Sequence, residues 1–453
     1  MAMAMIKEKE SSMVKPAEKT PRRRLWLSIL DMMINSHTHV PILYFYRSNN
    51  GASNFFDANI LKQALSKVLV PFYPIAGRLR LDGGGRTEID CNEEGVLFVT
   101  AETTAVIDDL GDFAPSQELR RLTPTVDYSL GISSYPLLLS QVTYFKCGGV
   151  SLGIGFNQQL ADGPSAFHFI ESWSKIARGL DITIPPFLER TLLRPRNPPQ
   201  PSFHHIEYQP HHQQDFTKVV TKVACFKLTK EQLNTIKAKA KEDVNTNNTT
   251  KLSTYETFAA HIWKCVCQAR EQSDDQQTTL YFPISGRFSN RLQPPLPPGY
   301  FGRGIFAAAS MAKVGDLKTK PLSYAASCIH KDLEKMDNDY LRSSIDHLEL
   351  HPNASSLRHG PHTYSCPNLR IISWVRLVNY DVDFGWSRPI YIGPGGIMYE
   401  GKSYVIPCLG NDGSLLVHIA LQPQHITAFE ILFYQYDENK RLGVGDFIIR
   451  STL

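Results

Sequence analysis

The sequence has little of what marks a membrane-embedded, secreted or nucleic-acid-binding chain. No stretch of its 453 residues approaches the ~20 apolar residues that a membrane span requires. Residues 1–10 carry Lys7-Glu8-Lys9-Glu10 and no apolar core of secretory length, so a cytoplasmic location is expected. The formal net charge is only +4, and the basic residues are spread out apart from Arg22-Arg23-Arg24. That triplet reads as a solvated face, and nucleic acid is not implied as a partner. The eight cysteines (Cys91, Cys147, Cys225, Cys265, Cys267, Cys328, Cys366 and Cys408) show no metal-ligand spacing. They read as reduced buried thiols, with no metal site. Sequons at Asn247, Asn248 and Asn353 would matter only in a secreted protein.

What remains is ordinary globular composition, 42% hydrophobic and 20% charged, on a length that suggests two domains. Runs rich in β-branched and aromatic residues predict strands over 40–46, 95–103, 137–145 and 151–156. Apolar residues at helical spacing predict helices over 57–69, 165–178, 229–242 and 253–270. Thr229-Lys230-Glu231-Gln232 and Ser253-Thr254-Tyr255-Glu256 have the form of helix starts, a hydroxyl cap followed by Gln or Glu. Strands interleaved with helices without regular βαβ spacing argue for α/β layers with mixed sheets. From Ile184 to His212 prolines recur (Pro185, Pro186, Pro195, Pro198, Pro199, Pro201, Pro210), which reads as an extended crossover. The expected organisation is an N-terminal domain over 1–180, a proline-rich linker over 181–215 and a C-terminal domain over 216–453.

One stretch sets the functional question: Phe156-Asn157-Gln158-Gln159-Leu160-Ala161-Asp162-Gly163, preceded by Gly153-Ile154-Gly155 and followed by Ser165-Ala166-Phe167-His168-Phe169. Further landmarks are Tyr44-Phe45-Tyr46-Arg47, Pro71-Phe72-Tyr73-Pro74-Ile75-Ala76-Gly77-Arg78-Leu79, Pro297-Pro298-Gly299-Tyr300-Phe301-Gly302 and Tyr380-Asp381-Val382-Asp383-Phe384-Gly385-Trp386-Ser387. Carrying these motifs over nearly its whole length, the chain resembles the plant BAHD acyltransferases. Within them it is most similar to the hydroxycinnamoyl-CoA:shikimate/quinate hydroxycinnamoyltransferases. The resemblance implies two similar chloramphenicol-acetyltransferase-like α/β domains with mixed sheets and a channel between them, as a monomer with no bound cofactor. An acyl-CoA would serve as co-substrate, and the partner would be a small aromatic ester or acyl-CoA, with a partner enzyme also conceivable.

The same resemblance places a histidine, the general base, where this chain has Gln158. An amide has no usable proton affinity near neutral pH, and a general base contributes roughly 10²–10⁴-fold in rate. Asp162, beside Gly163, matches a structural aspartate whose partner would be Arg287, and Asp383 matches another, in the motif with Gly385 and Trp386. Ser387 stands where the family has a flexible glycine. The family arginine that grips an acceptor carboxylate aligns with His359, with Arg358 one place earlier. Ile372 replaces a threonine, Arg303 replaces an asparagine, and Trp374 is kept. His39 matches a histidine of the acceptor pocket. His39 and His359 are the candidate substitute bases, and Ser253 and Thr254 match positions near the CoA phosphates, with simple helix caps as the alternative.

Three functions follow as expectations. The scaffold acts on a hydroxycinnamoyl ester or thioester without the usual base, by cleavage, decarboxylation, rearrangement or cyclisation; or it retains acyl transfer to an alcohol or amine; or it binds without catalysis, as a drifted duplicate would. The pairs His204-His205 and His211-His212 read as solvated, His168 as a packed helix residue, and Gly393-Pro394-Gly395-Gly396 as a turn and not a phosphate loop.

Overall fold

A computed structural model describes residues 5–48, 54–210, 219–242, 252–288, 291–351, 354–410 and 412–437. Two six-stranded mixed sheets organise it. The first runs, in spatial order, Ile6–Val14, Val96–Thr103, Leu138–Phe145, Val150–Asn157, His39–Tyr46 and Tyr391–Pro394. The second runs Ile305–Lys313, Gln277–Ser285, Leu369–Ser373, Lys402–Pro407, Leu415–Leu421 and Lys222–Leu228. In each, parallel pairs sit among antiparallel ones: Val96–Thr103 with Leu138–Phe145 in the first, Leu369–Ser373 with both its neighbours in the second. The fold is therefore mixed α/β, as expected. Strand Val150–Asn157 is buried at every residue, which explains why its sequence is nearly all apolar or glycine.

The helices lie close to where the periodicity puts them, at Ala58–Val68, Gly163–Ala177, Lys230–Glu242 and Thr254–Ala269. Their ends are set by the side chains that the sequence advertises. Asp57 accepts from the backbone N–H groups of Asn59 and Ile60, and Ser253 forms a reciprocal capping box with Glu256. Each sheet packs its helices over its own core, with Trp173 fully buried in one and Trp263 in the other.

Three expectations need correction. Gly393 and Pro394 belong to a strand and not a turn, because the edge position beside His39–Tyr46 tolerates proline's missing donor. The first sheet thus ends on residues far along the chain. His205 is fully buried and not solvated, and Cys147 and Cys366 are exposed. His211 and His212 lie outside the described residues. Between 181 and 210 the chain is extended apart from two short 3₁₀ turns, Thr191–Leu193 and Ile206–Tyr208, and Phe187 makes an isolated parallel bridge to Tyr300. Ser387 costs no backbone strain: it is not among the described residues of positive φ, and its hydroxyl donates to the Arg47 carbonyl at 3.2 Å.

Among the described residues no helix is long and apolar enough to cross a membrane, and no group of three or more His, Cys, Asp or Glu is placed to hold a metal. Burial holds three histidines neutral: His39 and His261 are lowered to about 4 and His418 to about 3, from an ordinary 6.5. As pH falls below 6.5 the unfolded chain protonates these rings while the folded chain does not. Stability should therefore drop on acidification, by up to about 1.4 kcal/mol per pH unit for each histidine, until the folded values are reached. Denaturant melts at pH 7 and pH 5 should show this loss, and His418→Gln should lessen the slope; an unchanged slope would contradict the buried neutral state.

Candidate active site

The strand Val150–Asn157 delivers the chain into a tight turn whose residues are held one by one. The Asn157 amide donates to the Ser36 carbonyl at 2.6 Å, and its oxygen accepts from the Gln159 backbone N–H at 3.0 Å. The Gln159 amide donates to the Ile34 carbonyl at 2.8 Å. Arg190, fully buried, donates to the carbonyls of Gln159 and Leu160 at 3.3 and 2.6 Å and pairs with Asp31 at 3.0 Å. The Gln158 backbone N–H donates to Thr38 at 3.2 Å, but its side-chain amide makes no hydrogen bond among the described residues. It is the one side chain of the turn left uncommitted on the side that faces the cavity.

Asp162 closes the turn. It caps helix Gly163–Ala177 by accepting from the Ser165 N–H at 3.1 Å, and it receives both Arg287 nitrogens, at 2.7 and 2.9 Å. A further N–H, from Gly304, arrives at 2.9 Å. Every acceptor lone pair of this carboxylate that points inward is thus satisfied. Gly163 leaves room beside it: a Cβ there would lie 3.3 Å from Leu377.

These residues open onto a cavity of about 740 Å³ between the two sheets. Gln158, Asp162, Gly163, Ser253, Thr254, Ile372 and Trp374 share its lining. Trp374 packs edge-on against Phe167 and Tyr404, with centroids 5.4 and 5.0 Å away, so its position is fixed by a residue from each half of the chain. Ser253 and Thr254 are exposed at the mouth, where Lys230 also stands.

Other sequence candidates are not brought to this lining. His39 is buried; the Tyr128 hydroxyl donates to its Nδ1 at 2.7 Å and its Nε2–H donates to the Pro136 carbonyl at 2.9 Å. With its one acceptor nitrogen occupied and its pKa pushed down by burial, it is no substitute base. His359 meets the Glu207 carbonyl amid the rings of Tyr208, Tyr281 and Tyr364. Arg358 donates to the Met32 carbonyl at 2.9 and 3.2 Å. Asp383 accepts from the N–H groups of Gly385 (2.7 Å) and Trp386 (3.0 Å), and Trp386 packs on Phe56 at 5.0 Å, so this motif pins a loop to the first core, away from the cavity. The Gly385 φ of 106° is the reason a glycine stands in that turn. His168 donates to or accepts nothing in the cavity; its Nε2 meets the Ile184 carbonyl at 2.8 Å.

One constellation that sequence did not reveal has the geometry of a nucleophilic triad. Ser343 Oγ lies 2.9 Å from His205 Nε2, and His205 Nδ1 lies 3.0 Å from Glu207. It is sealed, however: all three are buried, Ser343 Oγ also accepts the Ser202 and Phe203 N–H groups, and none lines the cavity. The cluster is a buried polar pin, not a site.

Sequence reasoning also passed over Arg370 and Lys402 in the lining. The signal was available as alternation: Ile371 enters the second core while Arg370 and Ile372 face the opposite side of the same strand.

The Transferase family model matches residues 4–436. The chain is 55% identical over 440 residues to shikimate O-hydroxycinnamoyltransferase of Nicotiana tabacum, covering 95% of this chain and 100% of that protein. It is 48% identical over 434 residues to rosmarinate synthase of Plectranthus scutellarioides (95% and 99% covered) and 44% identical over 448 to anthranilate N-benzoyltransferase protein 1 of Dianthus caryophyllus (95% and 100%). Among solved structures, vinorine synthase superposes with a TM-score of 0.72 at 21% identity, covering 95% of this chain and 98% of that one. F. graminearum TRI101 with coenzyme A and T-2 mycotoxin gives 0.74 at 16%, covering 89% and 96%. At these identities the two structures speak for the fold alone.

Arg287→Met should strand the buried Asp162 carboxylate and cost about 3–5 kcal/mol in chemical denaturation. Since the pair is 11% and 1% exposed, a loss below ~1 kcal/mol would show that it holds nothing together.

Proposed function

The chain belongs to the plant BAHD acyltransferase family, and on that footing we propose that it acts on a hydroxycinnamoyl ester or thioester by chemistry that needs no proton acceptor at position 158. The observation that carries this reading is the cavity lining. Among the described residues no histidine shares it, its one carboxylate is the Asp162 already bound to Arg287, and Gln158 presents an amide with no hydrogen-bond partner to the cavity that Trp374 also lines.

An alcohol attacking a thioester carbonyl must lose its proton, and an amide cannot take it. What an amide offers is an N–H to a carbonyl oxygen as negative charge develops there, and an oxygen that orients a donor on the ligand. Both suit a reaction confined to one bound molecule: cleavage, decarboxylation, rearrangement or cyclisation of the hydroxycinnamoyl compound. An acyl-CoA is the natural co-substrate, with its phosphates at the mouth beside Lys230, Ser253 and the N-terminus of helix Thr254–Ala269.

A second reading has its own support. One relative is named for N-acylation of anthranilate. An amine attacks as a neutral nucleophile and sheds its proton after the bond has formed, so it leans less on a base than an alcohol does. Positioning by a rigid cavity supplies several kcal/mol of the barrier on its own. Residual acyl transfer to an amine, or slowly to an alcohol, is therefore the alternative outcome of the test.

The test incubates purified wild-type protein and Gln158→His with p-coumaroyl-CoA and caffeoyl-CoA, with and without shikimate, quinate and simple amines, and with preformed hydroxycinnamoyl esters, followed by mass spectrometry. The proposal expects ester or thioester consumed to a fragment or isomer by wild type, and loss of that product in Gln158→His. An acyl conjugate plus free CoA from wild type would overturn it in favour of transfer. In that case Gln158→His should raise kcat/KM by about 10²-fold or more and introduce a limb that rises with pH through the histidine range. Tight binding with no product in either protein would mark a binder.

A further inference from the structure

Arginines in this fold are generally partnered when they leave solvent. Arg287 holds Asp162, Arg190 holds Asp31, and Arg270 holds Glu400. Arg303 is different. Its backbone is anchored, the N–H to Asp31 Oδ1 at 2.9 Å and the next N–H, of Gly304, to Asp162 Oδ2 at 2.9 Å. Its side chain lines the cavity, is partly buried, and makes no hydrogen bond or ion pair among the described residues. The carboxylate in the same lining has no acceptor to spare for it, because Asp162 is filled by Arg287 and two backbone donors.

Arg370 stands in the same lining, half-buried on strand Leu369–Ser373. Its guanidinium lies over the Tyr364 ring, 4.7 Å from the centroid, and one nitrogen bonds the Tyr364 hydroxyl. A guanidinium carries five N–H donors in a planar fork, so most of its donors are unused. Burial disfavours the cationic form of Arg303, the charge of Asp162 offsets part of this and that of Arg370 adds to it, yet a guanidinium keeps its proton in a protein. Two such groups facing one cavity gain from an anion placed between them.

We propose that Arg303 and Arg370 form a carboxylate-binding subsite inside the cavity, so that the small molecule handled beside Gln158 carries a carboxylate. This rests on the reading that the cavity is where an acyl compound is processed. Two parallel N–H donors match the two oxygens of a carboxylate, and the neighbouring Tyr404, Trp374 and Ile372 offer a flat apolar wall to a ring that bears it. The subsite is separate from the polar residues of the mouth: Lys230, Ser253 and Thr254 are exposed, whereas Arg303 and Arg370 are partly buried. Nor is it the position that alignment would suggest. Arg358 is spent on the Met32 carbonyl and His359 on Glu207, and neither reaches the lining.

The test is titration calorimetry on the whole protein with shikimate and with anthranilate, each against its methyl ester, and separately with p-coumaroyl-CoA. At least one acid should bind about tenfold or more tighter than its ester, and its affinity should fall with salt while that of the ester does not. Arg303→Met and Arg370→Met should each remove the preference and leave p-coumaroyl-CoA binding within about twofold of wild type. If a Met variant does not fold, Arg303→Lys, which keeps charge but loses the fork, should lower the preference, and the salt dependence of wild type still decides. Equal binding of acid and ester, binding of neither, or a preference surviving both substitutions overturns the proposal. So does parallel weakening of p-coumaroyl-CoA, which would assign the arginines to phosphate. Acid preference without any binding of p-coumaroyl-CoA would leave the subsite standing and remove the functional reading instead; binding of p-coumaroyl-CoA without acid preference would do the reverse.

Discussion

Asp162 and Arg287 meet through two hydrogen bonds with almost no access to solvent, and they come from opposite sheets. Asp162 ends the turn after strand Val150–Asn157, and Arg287 follows strand Gln277–Ser285. The same guanidinium reaches Ser165 and the carbonyls of Tyr300 and Gly302, so one side chain ties helix Gly163–Ala177, the loop 300–304 and the second sheet together. A buried pair of this kind gains little net free energy over an apolar replacement, but its directionality fixes where the parts sit. The cavity exists because these two surfaces are held apart and in register at this point.

That constraint leaves the side chain at position 158 without a structural duty. Asn157, Gln159, Leu160 and Asp162 each serve the framework through backbone or side-chain bonds, and Gln158 serves it only through its backbone N–H. Histidine and glutamine place a nitrogen at similar reach, so swapping one for the other disturbs no structural contact. Reaction and scaffold are separable here at the level of single residues. Gln158, Arg303 and Ile372 face the cavity, while Asp162, Arg287 and Arg190 hold the framework around it.

The layers were legible because burial forces a pattern. Strand Val150–Asn157 and helices Ala58–Val68 and Gly163–Ala177 announce themselves through apolar content and spacing. The family resemblance likewise implied the pairing of Asp162 with Arg287, which the structure shows as two hydrogen bonds. Sequence failed where a residue's role depends on what folds over it. Pro394 looked like turn material and is an edge strand, a choice set by the neighbour His39–Tyr46. His205 looked solvated on a proline-rich segment, but helix Asn338–Leu350 covers it and supplies Ser343 as its partner. His39 looked like a base until its tertiary neighbours, Tyr128 and Pro136, took both nitrogens.

Net charge was the least informative of the bulk numbers, because +4 over the chain conceals how charge is placed. Among the described residues, three lysines and four arginines line the cavity against a single carboxylate, which Arg287 already neutralises. Such a concentration in a cleft with low-dielectric walls focuses a positive potential along its length and raises the local concentration of anions. The exposed cations at the mouth suit groups that remain hydrated, as phosphates do; the partly buried guanidiniums deeper in suit a planar anion that has shed its water. The two sets therefore suit two different anions, a hydrated phosphate outside and a carboxylate within. The cavity's apolar lining, Trp374, Tyr404 and Phe258 among it, suits the ring of an aromatic ligand. The physical character of this site is therefore set less by the Gln158 amide than by the cations that share its lining.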